Sequence, residues 1–158
     1  MNRNLTYIND ILGSKYLAIT LDKTVDTILS DFLESFKSIA GEDKFNIFVA
    51  NQELRDLRPD DNHTHHITVV NVMELPKVNT LLLAELITEP IDDLNMIGIG
   101  TAVDDKSNNE AFFIVCASDK CNAIRELLGL KQRDLHITIG FNEKDVFNHS
   151  KGIDSLIR

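Results

Sequence analysis

Leu135-His136-Ile137-Thr138-Ile139-Gly140-Phe141 sets a histidine and a threonine two residues apart inside an apolar run. Seventy residues earlier, His66-Ile67-Thr68-Val69 repeats that arrangement. In a strand, residues i and i+2 share a face, so each run lays an imidazole beside a hydroxyl over one surface. Two such strands brought to one cavity would supply two proton-transfer groups and two neutral donors. That set suits the in-line displacement of an oxygen from a phosphodiester.

Outward from the motifs, Lys15 to Leu21 alternates and carries β-branched and aromatic residues, and reads as a strand. Thr24 is a candidate N-cap with Asp26 in the first turn, and Val25, Ile28, Leu29, Phe32, Phe36 and Ile39 follow at helical spacing up to Gly41. Phe45 to Val49 reads as a second strand, and Asn51 to Asn62, with Pro59, as a polar loop. After the first motif, Val78 to Ile87 reads as a helix begun by Pro76 in preference to a strand. Met96 to Val103 and Glu110 to Ala117 read as a hairpin around Asp104 to Asn109, with Gly98 and Gly100 marking close packing rather than a dinucleotide site. Ser118 caps a short helix that buries Cys121, Ile124, Leu127 and Leu128 and ends at Gly129. The second motif strand spans Asp134 to Phe141, and the last seventeen residues are polar and irregular, with at most a short helix from Ile153.

A duplication is visible in this order. Strand, helix, strand and motif strand are followed by hairpin, helix and motif strand. The reading is a single α+β domain over residues 1–158, in two pseudo-symmetric lobes of antiparallel sheet with flanking helices. The motif strands would floor a central cleft.

Composition narrows the function classes. Hydrophobic residues are 43% and charged residues 26%, as in an ordinary globular chain. No apolar run reaches the length of a membrane span, and nothing resembles a signal peptide, so cytosol is the expected location. Sixteen basic against twenty-five acidic residues give a net charge of −9, which disfavours long nucleic acid and leaves a small phosphate-bearing substrate captured by a local site. Two cysteines, Cys116 and Cys121, are too few for a disulfide framework or a four-thiolate metal site and read as buried thiols. His63 and His65 could share a face, but no carboxylate or thiolate stands at a metal-ligand spacing, and His65 and His66 point oppositely in a strand; no metal and no cofactor is expected.

Two motifs of the form His-x-Thr-x, with x apolar, resemble the two-histidine phosphoesterase superfamily, which includes RNA ligase-like and cyclic phosphodiesterase enzymes. The flanking text from His65 to Glu74, from Ile97 to Ala102, and from Leu135 to Phe141 with Lys144 to Phe147 is similar to the phage anti-CBASS phosphodiesterases, over roughly Tyr16 to Lys151. That resemblance implies cleavage of the cyclic oligonucleotides through which bacterial CBASS immunity signals infection, in the cytoplasm of a host cell. It implies His66, Thr68, His136 and Thr138 as the catalytic set and a cyclic di- or trinucleotide as the substrate.

The chemistry can be stated from the residues themselves. Cleaving a 3′–5′ ribonucleotide linkage needs a base for the nucleophile's proton and an acid for the departing 5′-oxygen, and two imidazoles near neutral pH supply both. Which histidine takes which role is open at this level. Tyr16 and Phe147 are candidate base-stacking residues, with core packing the alternative for Tyr16, and Lys144 and Lys151 could each meet phosphate or be a solvated charge. Tyr7 and His149 are expected at the surface, with a place on a lid over the cleft as the alternative for His149. Two alternatives stand beside cyclic-oligonucleotide cleavage: an RNA 2′,3′-cyclic phosphodiesterase acting on RNA ends with the same four residues, and a module that sequesters cyclic nucleotides without cutting them, in which the paired histidines and threonines would lack a chemical reason.

Overall fold

The computed structural model describes residues 3–10, 12–55, 65–147 and 149–157. Six antiparallel strands, β1 (Leu5–Asn9), β2 (Lys15–Leu21), β3 (His65–Val70), β4 (Asn95–Val103), β5 (Glu110–Ala117) and β6 (Leu135–Phe141), form one open sheet in the order β1-β2-β3-β6-β5-β4. Four helices accompany it: α1 (Thr27–Ala40), α2 (Glu42–Arg55), α3 (Thr80–Leu86) and α4 (Asp119–Leu127). The α+β reading and its two lobes hold. Each half is a hairpin, then helix, then motif strand, and the halves meet along β3 and β6 at the registered pair Ile67–Ile137.

That pair explains the layering. Ile67 and Ile137 are fully buried in one large core with Leu29 and Phe36 of α1, Phe48 of α2, Leu83 of α3, and Cys121 and Ile124 of α4. Helices therefore cover one face of the sheet. The opposite face carries two smaller apolar clusters, Ile8, Tyr16 and Ala18 on the β1–β2 side and Phe113, Val115, Phe141 and Val146 on the β5–β6 side. Between them the centre of this face is open.

Several sequence expectations are corrected. Phe45 to Val49 is not a strand: it lies in α2, which follows α1 directly because Gly41 adopts φ 89, a conformation that side-chain-bearing residues rarely take. Phe45 and Phe48 pack on Phe36 at helical spacing, with ring centroids 5.9 and 6.4 Å away. The loop expected from Asn51 is helical through Arg55, and the rest of it, with Pro59 and His63, lies outside the described residues. The N-cap of α1 is Asp26, whose carboxylate accepts from Leu29 N and from the Arg3 guanidinium, whereas Thr24 donates to Asp22 in the preceding turn. Pro76 starts only a single 3₁₀ turn; α3 begins later, capped by the Asn79 side chain. Leu127 of α4 is exposed, because only Cys121 and Ile124 of the apolar set face the sheet squarely. The edge strand β1 had no counterpart in the sequence reading.

The glycine pair does mark close packing. A Cβ at Gly100 would meet the Phe113 ring at 2.5 Å, and one at Gly98 would meet Leu156 at 3.0 Å. The C-terminal segment is thus seated on the sheet: Leu156 bridges Gly100, Ile157 N donates to Ile99 O, and the tail's one helical piece is the 3₁₀ turn Ile153–Ser155.

Candidate active site

Antiparallel pairing of Ile67 with Ile137 sets His66 opposite Thr138 and Thr68 opposite His136. All four side chains then project from the open face, away from the helices. Directly opposed Cβ atoms in such a ladder lie about 4.5–5.5 Å apart and diagonal ones roughly 7–8 Å, so the histidines occupy one diagonal of the square and the threonines the other. A tetrahedral phosphate fits between two groups on that diagonal.

These residues line one cavity of about 630 Å³, together with Asp10, Tyr16, Arg55, Arg133, Asp145, Phe147, His149 and Lys151 among others. Clefts of this size enclose a whole small ligand. Aromatic rings steady both imidazoles. Tyr16 lies 5.5 Å from His66, and Phe113 meets His136 edge-on at 5.8 Å.

The β6 side is backed by a charged network. Asp145 is buried, receives Lys151 Nζ at 2.9 Å and Arg55 at 2.6 Å, and accepts weakly from the Thr138 hydroxyl at 3.5 Å. Burial pulls the Asp145 carboxyl upward, but Lys151 and Arg55 outweigh it and hold it below the usual range. Lys151 Nζ also stands 5.5 Å from the ring centres of Phe113 and Phe147. Helix α2 carries Arg55 to Asp145, and its Asn51 amide donates to the carbonyls of Phe141 and Asn142, fastening the end of β6.

Burial pushes the His136 imidazole down to about 3, with Lys151 and Arg133 adding positive field. It is therefore neutral at ordinary pH. Its Nδ1 lies 3.4 Å from the Asp134 carbonyl, so a proton on Nδ1 donates there and leaves Nε2 as the acceptor.

Of the residues singled out from sequence, His66, Thr68, His136, Thr138, Tyr16, Phe147 and Lys151 all line the cavity. Lys144 does not: it is exposed on the loop after β6, turned outward while its neighbours Asp145 and Val146 are buried. Tyr7 is exposed. His149 lines the cavity instead of lying free on the surface, and its Nε2 is buried without a hydrogen-bond partner among the described residues. Arg55, Arg133, Asp10 and Asp145 carried no sequence signal, since tertiary packing alone brings them to the motifs. Among the described residues no group of three or more His, Cys, Asp or Glu is placed to hold a metal ion. Cys116 and Cys121 are buried thiols, and desolvation pushes Cys116 up to about 12.

The chain matches the family described as the Swiss Army Knife, 2H phosphoesterase domain over residues 27–147, which includes both motifs. The chain belongs to this family. The 2H phosphoesterase match runs from α1 through the loop after β6 and so includes the whole β3–β6 junction. No curated protein and no solved structure matches this 2H phosphoesterase. Among its described residues, no helix is long and apolar enough to cross a membrane.

Proposed function

We propose that this phosphoesterase is a metal-independent hydrolase of 3′–5′ linkages in cyclic di- and trinucleotide second messengers, acting in a host cytoplasm against CBASS antiphage immunity. The observation that carries the reading is the square of His66, Thr68, His136 and Thr138 facing one small-ligand cavity. The acidic total charge of the chain supports a small substrate over a polynucleotide.

In this mechanism neutral His136 takes the proton from the nucleophile, either the neighbouring 2′-hydroxyl or a water. The nucleophile's oxygen bonds to phosphorus as the bond to the departing 5′-oxygen breaks, and His66 protonates that oxygen. Thr68 and Thr138 donate to the non-bridging oxygens, where charge accumulates in the transition state. An incoming phosphodiester brings negative charge against the field of Lys151 and Arg133, which raises the proton affinity of His136 with substrate in place. Tyr16 and Phe147, one buried beside His66 and the other exposed at the cavity wall, offer faces on which bases stack.

The test is incubation of the purified protein, in excess EDTA, with cyclic di- and trinucleotides and with oligoribonucleotides ending in a 2′,3′-cyclic phosphate, followed by chromatography of the products. Linear products from a cyclic substrate are expected. Preference for the RNA ends would select the end-processing alternative, tight binding without turnover would select sequestration, and either result overturns the proposal.

A further inference from the structure

Arg133 is the cavity-lining cation whose charge is unspent. Its Nε is buried with no hydrogen-bond partner among the described residues, and the guanidinium enters none of the ion pairs found there. The neighbouring cations are all committed: Arg55 and Lys151 to Asp145, and Arg125 to Glu74. The carboxylates within its field are engaged too. Both Glu74 oxygens receive the Arg125 fork, and Asp134 accepts from the Ser150 hydroxyl. Holding a guanidinium partly buried with carboxylates in its field but none paired to it is costly, and the missing partner is one that enters through the cavity.

Position decides which anion. A phosphate held on the histidine diagonal is already met by two hydroxyls. Arg133 precedes β6 and stands roughly 10 Å of extended chain before His136. It lines the same cavity as His136, whose wall also includes Asn71 and Val72 from the segment after β3. We propose that Arg133 forms a second anion subsite that grips a non-scissile phosphate of the substrate through its planar fork. The inference rests on the phosphodiesterase reading and sharpens it: a substrate with two phosphates uses the subsite, and one with a single phosphate does not.

Steady-state kinetics of wild type, Arg133→Gln and Arg133→Lys on a cyclic dinucleotide and on a nucleoside 2′,3′-cyclic phosphate test this. Arg133→Gln should raise KM for the cyclic dinucleotide roughly 10- to 100-fold more than KM for the one-phosphate substrate, the loss of one charge-assisted pair, while any change made through the field on His136 is shared by both substrates. Arg133→Lys, which keeps that field, should recover part of the loss on the dinucleotide. An unchanged KM on the dinucleotide, or an equal loss on both substrates, overturns the subsite. Inorganic pyrophosphate, titrated while the histidine imidazole resonances are followed by NMR, reads the subsite without turnover. Weaker pyrophosphate binding by Arg133→Gln would uphold it even if wild type cleaved no cyclic nucleotide, and equal binding would refute it.

Discussion

Replacing Arg125 by methionine should loosen the junction on which both motif strands depend. This α4 side chain is 3% exposed, donates to the carbonyls of Val69 and Lys131 at 2.7 Å each, and grips Glu74 with bonds of 2.8 and 2.9 Å. Val69 follows Thr68 and Lys131 leads into β6, so one guanidinium ties the two halves behind the square of histidines and threonines. Methionine preserves volume and leaves two carbonyls and a carboxylate without their donor. Removing one partner of a buried pair costs about 3–5 kcal/mol. For a domain of this size each kcal/mol moves Tm by about 2–4 °C, so a fall of roughly 6–20 °C is expected by far-UV circular dichroism. Arg125→Lys, which keeps charge but not the fork, should fall between. The Glu74 carboxyl is held low chiefly by the Arg125 hydrogen bonds, against the opposing pull of burial. Its contribution is therefore present above the ordinary glutamate range and lost as pH falls through the lowered value, where the gap between wild type and variant should narrow to the share of the two carbonyl bonds. A loss under about 1 kcal/mol in Arg125→Met near neutral pH would refute the bracing role, since that is the range of an exposed pair.

Two further outcomes follow from the geometry. Because His136 is pushed down to about 3, it stays neutral through mild acid, and kcat/KM should hold between about pH 7 and 5 instead of falling as for an ordinary imidazole base; Lys151→Met should move the acid limb upward, and an acid limb at the ordinary value in wild type would contradict the assignment of His136 as base. At Gly140, an added Cβ would run into the Phe48 carbonyl and come within 2.8 Å of the Phe48 Cβ, so Gly140→Ala should separate α2 from β6 and cost about 1–3 kcal/mol or more in a denaturant titration, whereas a neutral effect would show that α2 can yield.

The elements legible in sequence were those whose pattern is local. β2 is a short apolar run between polar ends, buried continuously from Tyr16 to Ile19, β4 and β5 flank a turn rich in Asp and Asn, and Ser118 caps α4 by accepting from Cys121 N as its position implied. The motif strands were legible for the same reason, and their period-2 faces carried the site. α2 was not, because aromatic and β-branched residues crowd Phe45 to Val49 and its buried face continues through Gln52, a residue that reads as polar. β1 was missed because it buries only Leu5 and Ile8, three apart, and so does not alternate. Arg55, Arg133 and Asp145 reach the cavity through tertiary packing from a helix end, a strand lead-in and a loop. No spacing in the sequence encodes that convergence. Lys144 and Lys151 looked equivalent in sequence; what separates them is that Asp145 and two phenylalanine rings enclose Lys151.

The most direct test of the account is kcat/KM on a cyclic dinucleotide for His66→Ala and His136→Ala, each verified as folded by circular dichroism. Each variant should lose roughly 10²- to 10⁴-fold, the contribution of a positioned general acid or base. Retention of the wild-type rate by either one would contradict cleavage by paired imidazoles on adjoining strands.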